Sequence, residues 1–149
     1  MPSRISCLRA GVALATSFLS ITWAGVAVAQ SAANVAQDFL TKIESGNTTA
    51  AFEMLAASAS RGRSEADLKA PSRNPESVRK VAFEGPIDSA EVGQHGPGRY
   101  VIVCMLDIPR GSGAITSIAV TLVMDASSQP RIADYRYGSH PVPACASRI

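Results

Sequence analysis

Apolar positions along the chain follow two different periods. From Ser31 to Ile43, residues Ala32, Ala36, Phe39, Leu40 and Ile43 recur at helical spacing, and Gly46 supplies the stop. Asn47 or Thr48 can cap a second helix running to about Ala59, with Ala51, Phe52, Leu55 and Ala59 as its buried stripe. Ser64-Glu65-Ala66-Asp67 signals a short third helical turn, and Pro71 and Pro75 then open a loop. Beyond that loop the period changes to two. A strand is predicted over Ser77 to Glu84, with Val81 and Phe83 on one face. A turn-rich segment, Gly93 to Gly98, precedes a strand over Arg99 to Ile108. Tyr100, Ile102, Cys104, Leu106 and Ile108 line one face of that strand, and Val101, Val103 and Met105 the other. A strand apolar on both faces is expected to be central and covered twice. Gly111-Ser112-Gly113 makes a hairpin turn into a strand over Ala114 to Asp125. Its core face is Ile118, Val120, Leu122 and Met124, and its other face is the small, mixed set Ser117, Ala119, Thr121 and Val123. After a turn at Ser127 to Pro130, the last strand covers Arg131 to Gly138. Helices followed by an antiparallel meander predict an α+β fold of N-terminal helices on a sheet of about four strands.

The first thirty residues stand apart from this pattern. Arg4 and Arg9 precede an uncharged run from Ala10 to Ala29 that ends in Ala27-Val28-Ala29, a small-x-small cleavage site. The expectation is an export signal over residues 1–29, cleaved between Ala29 and Gln30, followed by one domain over residues 30–138 and a tail over residues 139–149. The competing expectation is an uncleaved N-terminal anchor, since about twenty uncharged residues can span a bilayer. Arg4 and Arg9 are not adjacent, so a twin-arginine signature is missing. Removing 29 of the 149 residues takes two arginines and no acids, which leaves 12 basic against 12 acidic residues. A formally neutral domain has no global field to draw it to nucleic acid or to an anionic membrane surface. The predicted location is the periplasm or the exterior, with no membrane partner after cleavage.

Three cysteines occur. Cys7 leaves with the signal, and Cys104 and Cys145 remain. An even count in an oxidising compartment predicts a disulfide tying a strand to the C-terminal tail. The alternative is one buried thiol and one loose thiol. The absence of a Cys-x-x-Cys spacing argues against a redox role.

The stretch FLTKIESGNTTAAFEML resembles the opening helix pair of the nuclear transport factor 2-like, or SnoaL-like, superfamily. The segments GRYVIVCMLDI, ITSIAVTLVMD and PRIADYRYG resemble its closing strands, so the likeness covers most of Ala33 to Gly138 and is nearest to small exported bacterial members of unassigned function. The resemblance implies a curved sheet wrapped around helices as a cone, with an apolar pocket inside. Members include isomerases, cyclases and dehydratases as well as non-enzymatic binding and assembly modules. No acid–base Asp–His pair of this chain falls on matching pocket strands, so the enzymatic activities do not carry over.

Candidate chemistry is sparse. His95 and His140 sit in Gly/Pro loops, and neither has a His, Cys or carboxylate partner at a metal-ligand spacing; no metal and no cofactor is expected. Asp107 and Asp134 lie in predicted strands. Each could serve as a base in a closed pocket or, more simply, as a solvated or Arg-paired carboxylate. Tyr135 and Tyr137 share a face opposite Asp134 and Arg136, where core packing with hydroxyls at the rim is expected. The segment from Arg61 to Lys80 carries six basic and three acidic residues but no aromatic residue to stack on bases, so a solvated loop is expected. Asn47-Thr48-Thr49 matches a glycosylation acceptor pattern, which helix capping explains better after a bacterial type of signal.

Three functions follow in order. The first is an exported binding or interaction module without catalysis. In it, the second face of the central strand is covered either by a homodimer partner or by the tail held through Cys145, and charge at Val101 or Val103 would break the dimer. The second is a pocket for an apolar small molecule. The third is a lyase- or isomerase-like enzyme using Asp107 or a tyrosine as acid or base.

Overall fold

The computed structural model describes residues 30–92 and 95–149. The expected signal, with Cys7 and the cleavage residue Ala29, lies outside them, as do Gly93 and Gln94; Gln30 is exposed at the start of the described chain.

Helix α1 spans Ala32–Glu44. The Ser31 hydroxyl accepts from the Asn34 N–H at 3.2 Å and caps its start. Its end is a Schellman motif. Gly46 sits at φ +80°, its N–H donates to the Ile43 carbonyl, and the Asn47 N–H donates to the Lys42 carbonyl at 2.8 Å. The next helix is shorter than the apolar stripe suggests. Helix α2 covers only Thr48–Phe52, and a separate turn, α3, covers Ala57–Ser60. Between them the backbone is drawn to the sheet: the Ala56 N–H donates to the Ile132 carbonyl at 2.8 Å and the Ile132 N–H to the Met54 carbonyl at 3.0 Å. Tertiary pairing has overridden local propensity there. The stripe still points inward, with Ala51, Leu55 and Ala59 buried and Phe52 half-buried. A 3₁₀ turn over Glu65–Asp67 occupies the expected third position, with the Asp67 carboxylate accepting from the N–H and hydroxyl of Ser64.

Four strands follow: β1 Val78–Ile87, β2 Tyr100–Ile108, β3 Thr116–Met124 and β4 Pro130–Gly138. They form one antiparallel meander in chain order, so β2 and β3 are interior. The register of β1 shifts between Val81 and Phe83, a bulge that changes the expected facing. Val81 pairs with Met105 and Phe83 with Cys104, so the two side chains lie on opposite faces rather than sharing one. Two short helices escaped the sequence pattern, α4 Ser89–Val92 and α5 Pro143–Ala146.

Strand alternation divides the apolar residues into two clusters. One joins Val35, Phe39, Leu40, Ile43, Ala51 and Ala59 of α1–α3 to Val103, Met105, Ile118, Val120, Leu122 and Ile132 of the sheet. The other joins Ile102, Cys104 and Ala119 to Val142 and Cys145 of the tail. Strand β2 is therefore covered twice within a single chain, and the tail supplies the second cover. Cys104 and Cys145 are bonded and fully buried in that second cluster. Ser117 reinforces the attachment: its hydroxyl donates to the His140 carbonyl and accepts from the Val142 N–H at 3.0 Å. Val103 is fully buried in the helix-side cluster and Val101 packs against it, so charge at either position would strike the core of one chain rather than a surface between two. Among the described residues, no helix is long and apolar enough to cross a membrane.

Candidate functional site

The end of α1, the start of β1 and the β2–β3 hairpin converge on a charged cluster. Arg79 of β1 stands directly across from Asp107 of β2 in the ladder. Its Nε and Nη2 each donate to one carboxylate oxygen of Asp107 at 2.8 Å, a bidentate pair. Nη2 also reaches Glu44 Oε1, at the C-terminal end of α1, at 2.5 Å. The Arg79 side chain is only 8% exposed and that of Asp107 only 10%, so both charges are largely removed from water. Burial works against the Arg79 cation, but the hydrogen bonds to Asp107 and Glu44 outweigh it and hold the guanidinium above its ordinary range. Arg73, from the Pro-flanked loop, is held more loosely. Its Nε lies 3.5 Å from Asp107 and its Nη2 donates to the Ser77 carbonyl, while its side chain stays about a third exposed.

Above this cluster lies a pocket of about 210 Å³. The loop residues Arg73 and Asn74, the hairpin residues Ser112 and Ala114, and Asp107 and Tyr137 are among those that line it. Tyr137 of β4 is the unusual member. Its ring packs against the helix-side core and lies edge-on to Tyr135 at 6.1 Å. Its hydroxyl is, among the described residues, the buried side-chain polar atom with no hydrogen-bond partner. Leaving such a group unmet costs about 1–3 kcal/mol. Burial pushes the phenol above its ordinary pKa, and the nearby Glu44 carboxylate pushes it further. Tyr135 shows the contrast: its hydroxyl accepts from the Lys69 N–H at 3.0 Å and donates to the Lys69 carbonyl at 3.1 Å.

The other expected residues lie away from this recess, and two of them, Asp134 and His95, are brought to one separate hollow. Asp134 pairs with Arg136 at 3.1 Å on the tail side of the sheet, away from Asp107. His95 lines a different hollow of about 330 Å³, formed by Ala119 and Thr121 of β3, α4 and the tail. There Arg148 pairs with Glu91 at 3.2 Å and lies over the Phe83 ring. His140 is exposed and takes part through its backbone carbonyl. Among the described residues, no group of three or more His, Cys, Asp or Glu side chains could hold a metal ion. Asp107 follows the simpler of its two expected readings, as a carboxylate paired with arginine, but it is buried rather than solvated.

Sequence reasoning missed Glu44, Arg73 and Arg79, and treated Arg79 as part of a solvated basic run. One signal could have found it: pairing the strand after Ser77 with the strand ending at Ile108 places Arg79 opposite the lone acid of the latter.

Fold and pocket together define a disulfide-linked α+β domain with a polar recess where its helices, loop and sheet meet. Among known proteins, no family model, no curated protein and no solved structure matches the chain.

Proposed function

We propose that this chain is an exported, non-enzymatic binding module whose ligand sits in the recess beside Tyr137. The recess itself carries the reading: Arg73, whose guanidinium keeps donors beyond its one bond to the Ser77 carbonyl, and the buried Asp107 line one polar cavity of about 210 Å³, and a polar molecule held there would stabilise the domain. A binding role also fits the state of Asp107. With both oxygens engaged by Arg79, the carboxylate acts as an electrostatic tie between β1 and β2 rather than as a base. The lining is polar, so the ligand is a small polar molecule, not the apolar one that a cone interior would take. Export agrees with a disulfide buried under the tail. The nuclear transport factor 2-like frame remains part of the proposal, supported by the apolar cluster that joins the N-terminal helices to β2, β3 and β4.

The test is native mass spectrometry of protein recovered from its exported compartment. Wild type is compared with Ala114→Trp, a substitution at an exposed hairpin position that fills the recess. A small polar adduct on the wild type, absent from the variant, is the expected result. An unliganded wild type, or an adduct that survives the tryptophan, overturns the reading.

A further inference from the structure

Cleavage between Ala29 and Gln30 places a glutamine at the head of the mature chain. A glutamine there holds its side-chain carboxamide within reach of its own α-amine, and attack of one on the other closes an unstrained five-membered ring. Gln30 is exposed and precedes Ser31, the residue that caps α1, so both groups lie outside the helix.

A free amine is badly placed at this point. It sits just before α1, whose leading N–H groups present partial positive charge. The first turn of α1 carries no acid to offset an ammonium. Gln30 also lines a hollow of about 280 Å³ with Val35, Asp38, Met54 and Arg131 among its walls. The charged groups facing that hollow are Asp38 of α1 and Arg131 of β4. Asp38 already holds Lys42, and Arg131 repels a further cation. Val35 is buried and Met54 half-buried, and neither offers a charge an ammonium could use. A neutral ring with one N–H and one carbonyl suits this position better on each count.

Resting on the export reading above, we propose that the mature chain is closed at Gln30 by a pyroglutamyl ring. The α-amine nitrogen attacks the side-chain carbonyl carbon Cδ. The N–Cδ bond forms, the Cδ–Nε2 bond breaks, and Nε2 takes one proton from the amine and leaves as ammonia. The step is intramolecular and redox-neutral, so it needs no co-reactant. The product removes the terminal charge and denies aminopeptidases the free amine they engage, at an end of the chain where trimming concentrates.

Intact and peptide mass spectrometry of protein recovered from its exported compartment tests the ring, with Gln30→Asn as control. Asparagine keeps the carboxamide but could close only a strained four-membered ring. The expected main species of wild type is the chain of residues 30–149, lighter by one ammonia beyond the two hydrogens of the disulfide, with the ammonia lost from the N-terminal peptide. Gln30→Asn keeps its full mass, and an aminopeptidase trims it while leaving wild type untouched. At neutral pH the variant should melt about 1–4 °C lower, because its ammonium faces the positive end of α1. That gap should close at about pH 10, where the α-amine has lost its proton. A main species that begins at Gln30 with a free amine overturns the ring and leaves export intact, as does a chain cleaved at another position. A chain that keeps its first 29 residues overturns the cleavage and the ring together. Equal melting temperatures at neutral pH overturn the stabilising role assigned to loss of the charge.

Discussion

Breaking the bond between Cys104 and Cys145 is the perturbation with the most direct arithmetic. The two residues are 41 positions apart, so the bridge closes most of the β2–β3–β4 segment together with the tail. In the chain-entropy account, a loop of that length restricts the unfolded chain by about 4 kcal/mol. A domain of this size unfolds with an entropy of about 0.25 kcal/mol/K, so the same loss lowers the melting temperature by roughly 15 °C. Reduction is a cleaner perturbation than replacement, because both sulfurs are fully buried among Ile102, Ala119 and Val142 and reduction leaves that packing volume in place. The assay is guanidinium unfolding of oxidised and reduced protein, read by circular dichroism. The reduced midpoint should fall and the denaturant slope should rise, since the unlinked unfolded chain exposes more surface. Hydrogen exchange at the Val142 amide separates two routes. If the tail stays docked through Ser117, that amide keeps its protection and the loss stays near the entropic figure. If the tail leaves, protection vanishes and the loss grows by the burial of the tail-side cluster. A stability change under about 1 kcal/mol with an unchanged slope would refute the constraint argument.

Other perturbations separate the charged cluster from its surroundings. Arg79→Met leaves the Glu44 and Asp107 carboxylates largely removed from water without their shared cation and should cost about 3–5 kcal/mol by urea unfolding, whereas the triple change Arg79→Met, Asp107→Leu, Glu44→Gln should recover most of it. Alkaline titration tests Tyr137. Its folded pKa lies above its unfolded value of about 10, so its contribution to stability is present below that pH and is lost as the unfolded phenol ionises above it. Tyr137→Phe should therefore flatten the fall in stability above about pH 10, and an unchanged fall would contradict the burial assigned to that hydroxyl. Gly46→Ala places a Cβ at φ +80° in the Schellman turn and should cost about 1–2 kcal/mol by thermal unfolding, with no effect on ligand binding.

The strands were legible from the sequence because their signal is local. The alternation through Val101 to Leu106 and Ile118 to Leu122 follows directly from burial on two faces, and both faces are in fact covered. The disulfide was legible from cysteine parity together with the expectation of export. Failures arose where a distant partner decided the outcome. The predicted second helix ran through Met54 and Leu55, and only the position of Ile132 explains why the backbone turns to the sheet there. The bulge beside Phe83 has no local marker in Val81-Ala82-Phe83, so the face of Val81 was misassigned. The recess was hidden for the same reason. Glu44, Arg73, Asp107 and Tyr137, which line it, and Arg79, which ties Glu44 to Asp107 beside it, come from separate stretches, and none forms a motif with its own neighbours.

The small residues of β3 explain why the sheet takes a second layer on its tail side. On the tail side, Ser117, Ala119 and Thr121 leave room for a second layer, and Val142 and Cys145 fill part of it. Tail and helices therefore press on the sheet from opposite faces, and the apolar burial that stabilises the fold is complete without a ligand. The polar recess lies at the margin of the helix-side cluster, where Tyr137 still packs its ring inward while its buried hydroxyl feels the charge of Glu44. A site at such a margin can keep an unmet hydroxyl and a loosely held arginine because the core does not depend on either. That arrangement suits binding: the scaffold is rigid where Arg79 bridges α1, β1 and β2, and adaptable where Arg73 enters from the loop between Pro71 and Pro75. A ligand held there would order the loop without repacking the core. The expected signature is a change in hydrogen exchange confined to residues 71–77 on binding, with β2 and β3 unaffected; protection spreading into those strands would place the ligand elsewhere.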